Sequence, residues 1–270
     1  MRSMLSRNFR AALAGARLGA AVAVAGWPVL LGRAVFYGLL LTVLTALWDK
    51  VMAERLAGGL VGALPAGGLA LYIGVTEWIG LSVPAIHLRI EDDIRSGALE
   101  AHLLRPKAYL VQRIAETLGA MLARIAVTGA AALAMLAASG RPWPSATVIA
   151  LLVVLGPLGA TIGVLLFTIA GLTAFWVRRT LPAFLVTQKL LFLLGGLFAP
   201  VTLYPPWLAW LGRLSPFAAH LYWPAALTID PSPTLVAATL AAQAFWIVAL
   251  GGVVALIWRA GLRRVLRGDL

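Results

Sequence analysis

The sequence predicts an all-α, polytopic membrane protein with six transmembrane helices, and three observations carry that prediction. The 270 residues are 61% hydrophobic and 12% charged, with a mean hydropathy of +0.94, too apolar for a soluble domain of this length. The apolar residues gather in runs near the roughly 20 residues that a helix needs to cross the hydrocarbon core. The cations recur at the ends of alternate runs, as the positive-inside rule requires.

The same numbers exclude several function classes. A net charge of +12 would suggest nucleic acid in a soluble protein, but a nucleic-acid face gathers its Lys and Arg in one domain with interleaved aromatics, and these cations are spread between apolar runs. There is no cysteine, so disulfides, thiolate metal sites and Cys nucleophiles are out. His87, His102 and His220 are too scattered for a zinc cluster.

Taken in order, residues 1–26 carry Arg2, Arg7, Arg10 and Arg17 in an alanine-rich background. Arg10 and Arg17 interrupt the apolar core that a signal peptide needs. On a helix, Arg7, Arg10 and Arg17 fall within an arc of roughly 80°, which predicts an amphipathic helix on an anionic membrane surface. A loosely ordered basic tail is the alternative.

Six spans follow, at 28–48, 60–83, 114–138, 146–176, 182–203 and 234–258. Arg33 sits in the first turns of the first, where it can snorkel to the interface. Arg124 falls inside the third. Either that helix enters the membrane later, or the guanidinium faces a protein partner. With this layout sixteen of the 22 Lys and Arg lie on one side, in the N-terminal segment, the loops at 87–113 and 177–189, and the tail. Lys50, Arg55, Arg141 and Arg213 lie on the other, so both termini are expected to be cytoplasmic.

Between the second and third spans, 89–106 reads RIEDDIRSGALEAHLLRP and holds four of the ten carboxylates. It is expected to be a cytoplasmic loop carrying a short docking helix, with the carboxylates at 91–93 on solvated surface. The fourth span holds Gly156-Pro157, a predicted kink, then Gly159 and Gly163 at GxxxG spacing, a candidate dimer interface. From 199 to 226, Pro200, Pro205, Pro206, Pro216 and Pro224 break the chain into short pieces bearing Trp207, Trp210, Tyr222 and Trp223. This predicts short re-entrant helices in the outer leaflet, with Pro206, Trp207, Pro216 and Phe217 near a translocation path; aromatic anchoring alone is the other reading.

No catalytic constellation occurs, and none of the three lysines, Lys50, Lys107 and Lys189, sits in a phosphate-binding loop. The chain is therefore not expected to be an enzyme or to bind a cofactor, and any ATP-driven work requires another chain. Glu77 is the one acid away from the ends of an apolar span. A carboxylate there costs about 2.5–3.5 kcal/mol on insertion scales, so it faces a cavity or a partner. Thr76 or a neighbouring helix is a candidate partner.

The segment with Ile94, Arg95, Gly97, Leu99, Leu103, Leu104, Arg105 and Pro106 resembles the cytoplasmic loop of ABC-2 type transporter permeases. Pro200, Pro206-Trp207-Leu208 and Ser215-Pro216-Phe217 resemble the same family before its last helix. The match covers nearly the whole chain, although Ala98 and Glu100-Ala101-His102 depart from the family pattern. The resemblance implies an exporter in the cell membrane built from two permeases, identical or sister, with separate ATPase subunits that hold ATP and Mg. The eight residues from Ile94 to Pro106 would form or adjoin the ATPase-coupling helix, and the substrate would be amphipathic or hydrophobic. A secondary transporter or channel using Glu77, and a non-transporting scaffold, are the competing readings.

Overall fold

The structure is a computed structural model that describes residues 2–57, 68–103, 109–197 and 199–267. Among these residues the chain forms α-helices and short 3-10 turns, with no strand. Five stretches are long and apolar enough to cross a membrane: Trp27–Val51, Gly68–Arg95, Tyr109–Ser139, Ala146–Phe175 and Pro233–Arg267.

The N-terminal segment is helical, α1 (Arg2–Ala25), and turns at Gly26 into α2 (Trp27–Ala57). Along α1, Gly15 and Gly19 are buried against α6 (Tyr109–Ser139). A Cβ on Gly19 would stand 1.8 Å from the Glu116 carbonyl oxygen, and one on Gly119 would stand 1.8 Å from that of Ala16. The two backbones therefore touch, which only small residues permit. Away from that contact α1 leaves Phe9, Leu13, Arg10 and Arg17 exposed, and Leu18 and Val22 are exposed beside it.

More than half of the Gly68–Arg95 and Ala146–Phe175 spans is buried inside the protein, against under a fifth of the other three. The interior is therefore built mainly from α3 (Gly68–Ser82), α4 (Ile86–Arg95) and α7 (Ala146–Leu172). Pro84 separates α3 from α4. Trp78 of α3 is wedged between α6 and α7: its indole N–H donates to the Ile125 carbonyl at 2.9 Å, and a Cβ on Gly156 would lie 2.6 Å from its ring. Nothing in the local sequence marks Trp78 out, yet it fixes how the three helices meet.

The expected span at 182–203 is shorter than a crossing. Its helix, α8 (Leu181–Leu194), has 14 residues. That is about 21 Å at 1.5 Å per residue, against a core of about 30 Å. The chain turns at Gly195 and Gly196, where φ is +68° and the Tyr72 hydroxyl donates to the Gly196 carbonyl at 2.6 Å. A side chain at Gly196 would meet both that hydroxyl and a strained backbone. Three short helices follow, α9 (Pro206–Leu214), α10 (Pro216–His220) and α11 (Tyr222–Ala226), before α12 (Pro233–Arg267). α5 (Ala98–Leu103) lies between α4 and α6. Val201, Ala209, Ala218, Tyr222 and Ala225 pack onto Leu69, Tyr72 and Ile73, so the short helices cap the start of α3.

Candidate functional site

The polar segment after α3 is a knot of ion pairs built around the buried Glu91 and the partly buried Asp93. The Glu91 carboxylate, 5% exposed, accepts from the Thr180 backbone N–H at 2.8 Å and its hydroxyl at 2.6 Å, while Arg95 and Arg179 approach the other oxygen at 3.4 and 3.5 Å. Asp93 is held by Arg113 through two hydrogen bonds, 2.8 and 3.1 Å, and accepts from the Tyr109 hydroxyl at 2.6 Å. Arg113 also donates to Glu116 at 3.0 Å, and the Gln112 amide adds a 2.9 Å bond to that carboxylate. Charge-assisted, two-pronged bonds of this kind fix direction as well as distance. They fasten α4 to the start of α6 and to the turn between α7 and α8.

This corrects the expectation that residues 91–93 form solvated surface. Asp92 is exposed, but Glu91 and Asp93 turn inward because α4 is helical and Ile86, Ile90 and Ile94 on the same side are drawn into the apolar core. The proximity of Arg113 and Thr180, distant in sequence, is what makes the inward charges tolerable.

The residues expected to couple to an ATPase divide into two groups. Ile94 and Leu99, 7% and 1% exposed, are packed inside and hold the segment rather than present it. Arg95 is exposed and Gly97 is open, with φ +74° and no heavy atom near a built Cβ. Asp92, Arg95, Ser96 and Glu100 are exposed along this stretch. Leu104, Arg105 and Pro106, and the side chain of Leu103, lie outside the described residues.

A cavity of about 590 Å³ opens between α2, α3, α6 and α7, walled by Leu41, Val75, Trp78, Leu122, Met135 and Val153 among others and almost wholly apolar. Glu77 is buried, 7% exposed, but lines neither this cavity nor the smaller one beside α1. Thr76 does not satisfy it, since the Thr76 hydroxyl donates to the Ile73 carbonyl at 2.9 Å. Among the described residues no hydrogen bond or ion pair reaches the Glu77 carboxylate. Arg33 reaches across to α3 instead of outward: its guanidinium donates to the Leu81 carbonyl at 3.4 Å, near the negative end of that helix.

A family model described as ABC-2 family transporter protein matches residues 69–266. The chain belongs to the ABC-2 transporter family. No curated protein and no solved structure matches it. Membership makes it a multi-pass permease subunit of an ABC transporter, a membrane component whose family works with an ABC ATPase.

The remaining predicted positions of this ABC-2 permease lie inside the matched region. Pro206 starts α9, and Trp207 and Trp210 are 69% and 66% exposed, so their rings face away from the protein body. Pro216 starts α10, whose N-cap Ser215 accepts from the Ala218 N–H, and Phe217 is half-buried beside it. Gly159 and Gly163 do not form a dimer face. They are buried within the chain, where a Cβ on Gly159 would lie 2.6 Å from the His220 carbonyl oxygen and one on Gly163 2.6 Å from the His220 ring. His220 Nδ1 lies 2.8 Å from the Gly159 carbonyl oxygen, filling the notch those glycines leave. The same small-residue spacing, at Gly15 and Gly19, is the sequence signal that marks the close contact of α1 with α6.

Proposed function

We propose that this chain is one of two permeases, identical or sister, in an ATP-driven exporter in the cell membrane, moving amphipathic or hydrophobic substrates with the force supplied by separate ATPase subunits that hold ATP and Mg. The observation that carries this reading is the ion-pair knot. Through Asp93–Arg113 and Glu91–Thr180, α4 is fastened to α6 and to the α7–α8 turn, so a push on the exposed face at Asp92, Arg95 and Glu100 moves several membrane helices as one body. The largely apolar cavity supports a substrate with a substantial hydrocarbon part. With both termini on the cytoplasmic side the chain needs an even number of crossings, so α8 is the sixth beside the five long spans, with the short helices after it dipping back into the outer leaflet. Pro206, Trp207, Pro216 and Phe217 border its outer end.

Affinity purification tests the reading. A partner bearing a phosphate-binding loop should co-purify, and Arg95→Glu should release it while membrane insertion is unchanged. An Arg95→Glu protein that retains the ATPase and its coupling removes the assigned docking face.

One observation favours a second reading, a secondary transporter using Glu77 as an ion site, because that carboxylate is buried with no hydrogen bond or ion pair among the described residues. Ion-driven uptake by the single chain in proteoliposomes, lost in Glu77→Gln, would support it over the first.

A further inference from the structure

The second cavity, about 460 Å³, lies where α1, α2, α4 and α6 meet, and its lining has a chemistry that the apolar one lacks. Arg89, Arg113 and Arg124 face it with Glu116 as the one carboxylate, while Leu18, Val22, Val29, Leu30 and Leu88 supply apolar wall. Arg113 is already neutralised by Asp93 and Glu116. Arg89 and Arg124 have no carboxylate partner among the described residues, and Arg124 Nη1 is buried without any hydrogen bond. Arg33 stands near enough to Arg124 for their charges to repel, and its Nε is likewise buried and unbonded. Like charges held together in a membrane with unmade hydrogen bonds lack an anion.

The form of that anion follows from the walls. Leu18, Val22, Val29 and Leu88 are about half exposed or more, so the mouth is bordered by side chains suited to hydrocarbon rather than water. The same helices continue into the larger apolar cavity: α2 lines one at Val29 and Leu30 and the other at Tyr37 and Leu41, and α6 lines one from Arg113 to Arg124 and the other from Leu122 to Ser139. Basic groups at one end and an apolar groove at the other match a molecule with a phosphate head and acyl tails. We propose that the α1–α2–α4–α6 cavity binds the phosphate headgroup of an anionic membrane lipid through Arg89 and Arg124, with Arg33 adding its charge from beside Arg124 and the acyl chains running along α2 and α6. A guanidinium pairs a phosphate through two parallel hydrogen bonds, and the packing of Gly19 on the Glu116 backbone and of Gly119 on the Ala16 backbone holds α1 in place as one wall. The site needs no ATPase, so it stands or falls independently of the transport reading.

The test uses the full chain in nanodiscs or neutral detergent, titrated with phosphatidylglycerol, phosphatidylcholine and sodium phosphate, with retained lipid counted by native mass spectrometry. Phosphatidylglycerol should bind in preference to phosphatidylcholine, and Arg124→Gln should weaken it about tenfold, the loss of one charge-assisted hydrogen bond. Arg89→Gln, at an exposed position, should weaken it in the same direction and covers the case in which Arg124→Gln fails to fold. Arg259→Gln, on α12 away from the cavity, should leave it unchanged. Equal retention of both lipids, or lipid affinity indifferent to Arg89→Gln, overturns the site. Sodium phosphate that displaces phosphatidylglycerol at equal concentration overturns the lipid assignment in favour of a free anion.

Discussion

Arg113 closes on Asp93 with two hydrogen bonds, Nε to Oδ2 at 2.8 Å and Nη2 to Oδ1 at 3.1 Å, joining the first turns of α6 to the end of α4. Both side chains are less than one-fifth exposed. The pair transmits force only if it is stiff, and stiffness comes from the planar fork rather than from charge alone.

Arg113→Lys is therefore expected to keep the fold but lose coupling, because an ammonium cannot engage both oxygens of Asp93 and also reach Glu116. Asp93→Ala leaves the guanidinium short of a partner and should cost roughly 3 kcal/mol, the lower end for breaking a buried pair. Thermal unfolding in detergent separates the two variants, and partner ATPase activity reads the coupling. An Arg113→Lys protein with full substrate-stimulated ATPase would mean the fork is dispensable.

At Glu91 the prediction rests on acceptors. Thr180 donates twice to one oxygen, and Glu91→Ala strands both donors at a cost of about 1–3 kcal/mol each. Glu91→Gln keeps one acceptor oxygen and should be milder. The melting temperatures should fall in the order wild type, Gln, Ala; equal values for Gln and Ala would refute the assignment.

The contact of α1 with α6 is testable because the chain has no native cysteine. A Cβ built on Gly15 lies 3.4 Å from the Cβ of Ala115, close to the usual separation across a disulfide. Gly15→Cys with Ala115→Cys should cross-link within one chain under mild oxidation. Adding Gly19→Val should abolish the cross-link, since its side chain would collide with the Glu116 carbonyl. Persistence of the bond in the triple variant would place α1 elsewhere.

Glu77→Gln removes a buried carboxylate that has no hydrogen bond to lose among the described residues, so insertion and melting temperature should hold or improve. Transport should fall if the carboxylate acts in the cycle. Transport unchanged within error would leave Glu77 without a functional role.

Much of the architecture was legible from order and composition. Long apolar runs marked five of the spans because a helix in hydrocarbon must satisfy its own backbone, a requirement that length and hydropathy report directly. The fifth predicted run is found as the 14-residue α8: 182–203 is apolar enough, but the helix ends before Gly196, whose turn is tied to the Tyr72 hydroxyl of a distant helix. The glycines show the same division. Gly159 and Gly163 announce that something packs closely there, and only the fold says that it is His220 of the same chain rather than a second copy.

By itself the sequence determined an all-helical membrane protein, the position of its one dense polar segment and, through the motifs around Gly97 and Pro206, its resemblance to the ABC-2 family. Those properties depend on local composition and on motif order along the chain. Only the tertiary structure decided that Glu91 and Asp93 point inward, that Ile94 and Leu99 anchor while Arg95 is exposed, and that Arg89 and Arg124 face one cavity with Arg33 close to Arg124. The reason is physical: the free energy of a charge inside a membrane protein is set by the partner that reaches it, and for Asp93 that partner is Arg113, twenty residues away and on another helix.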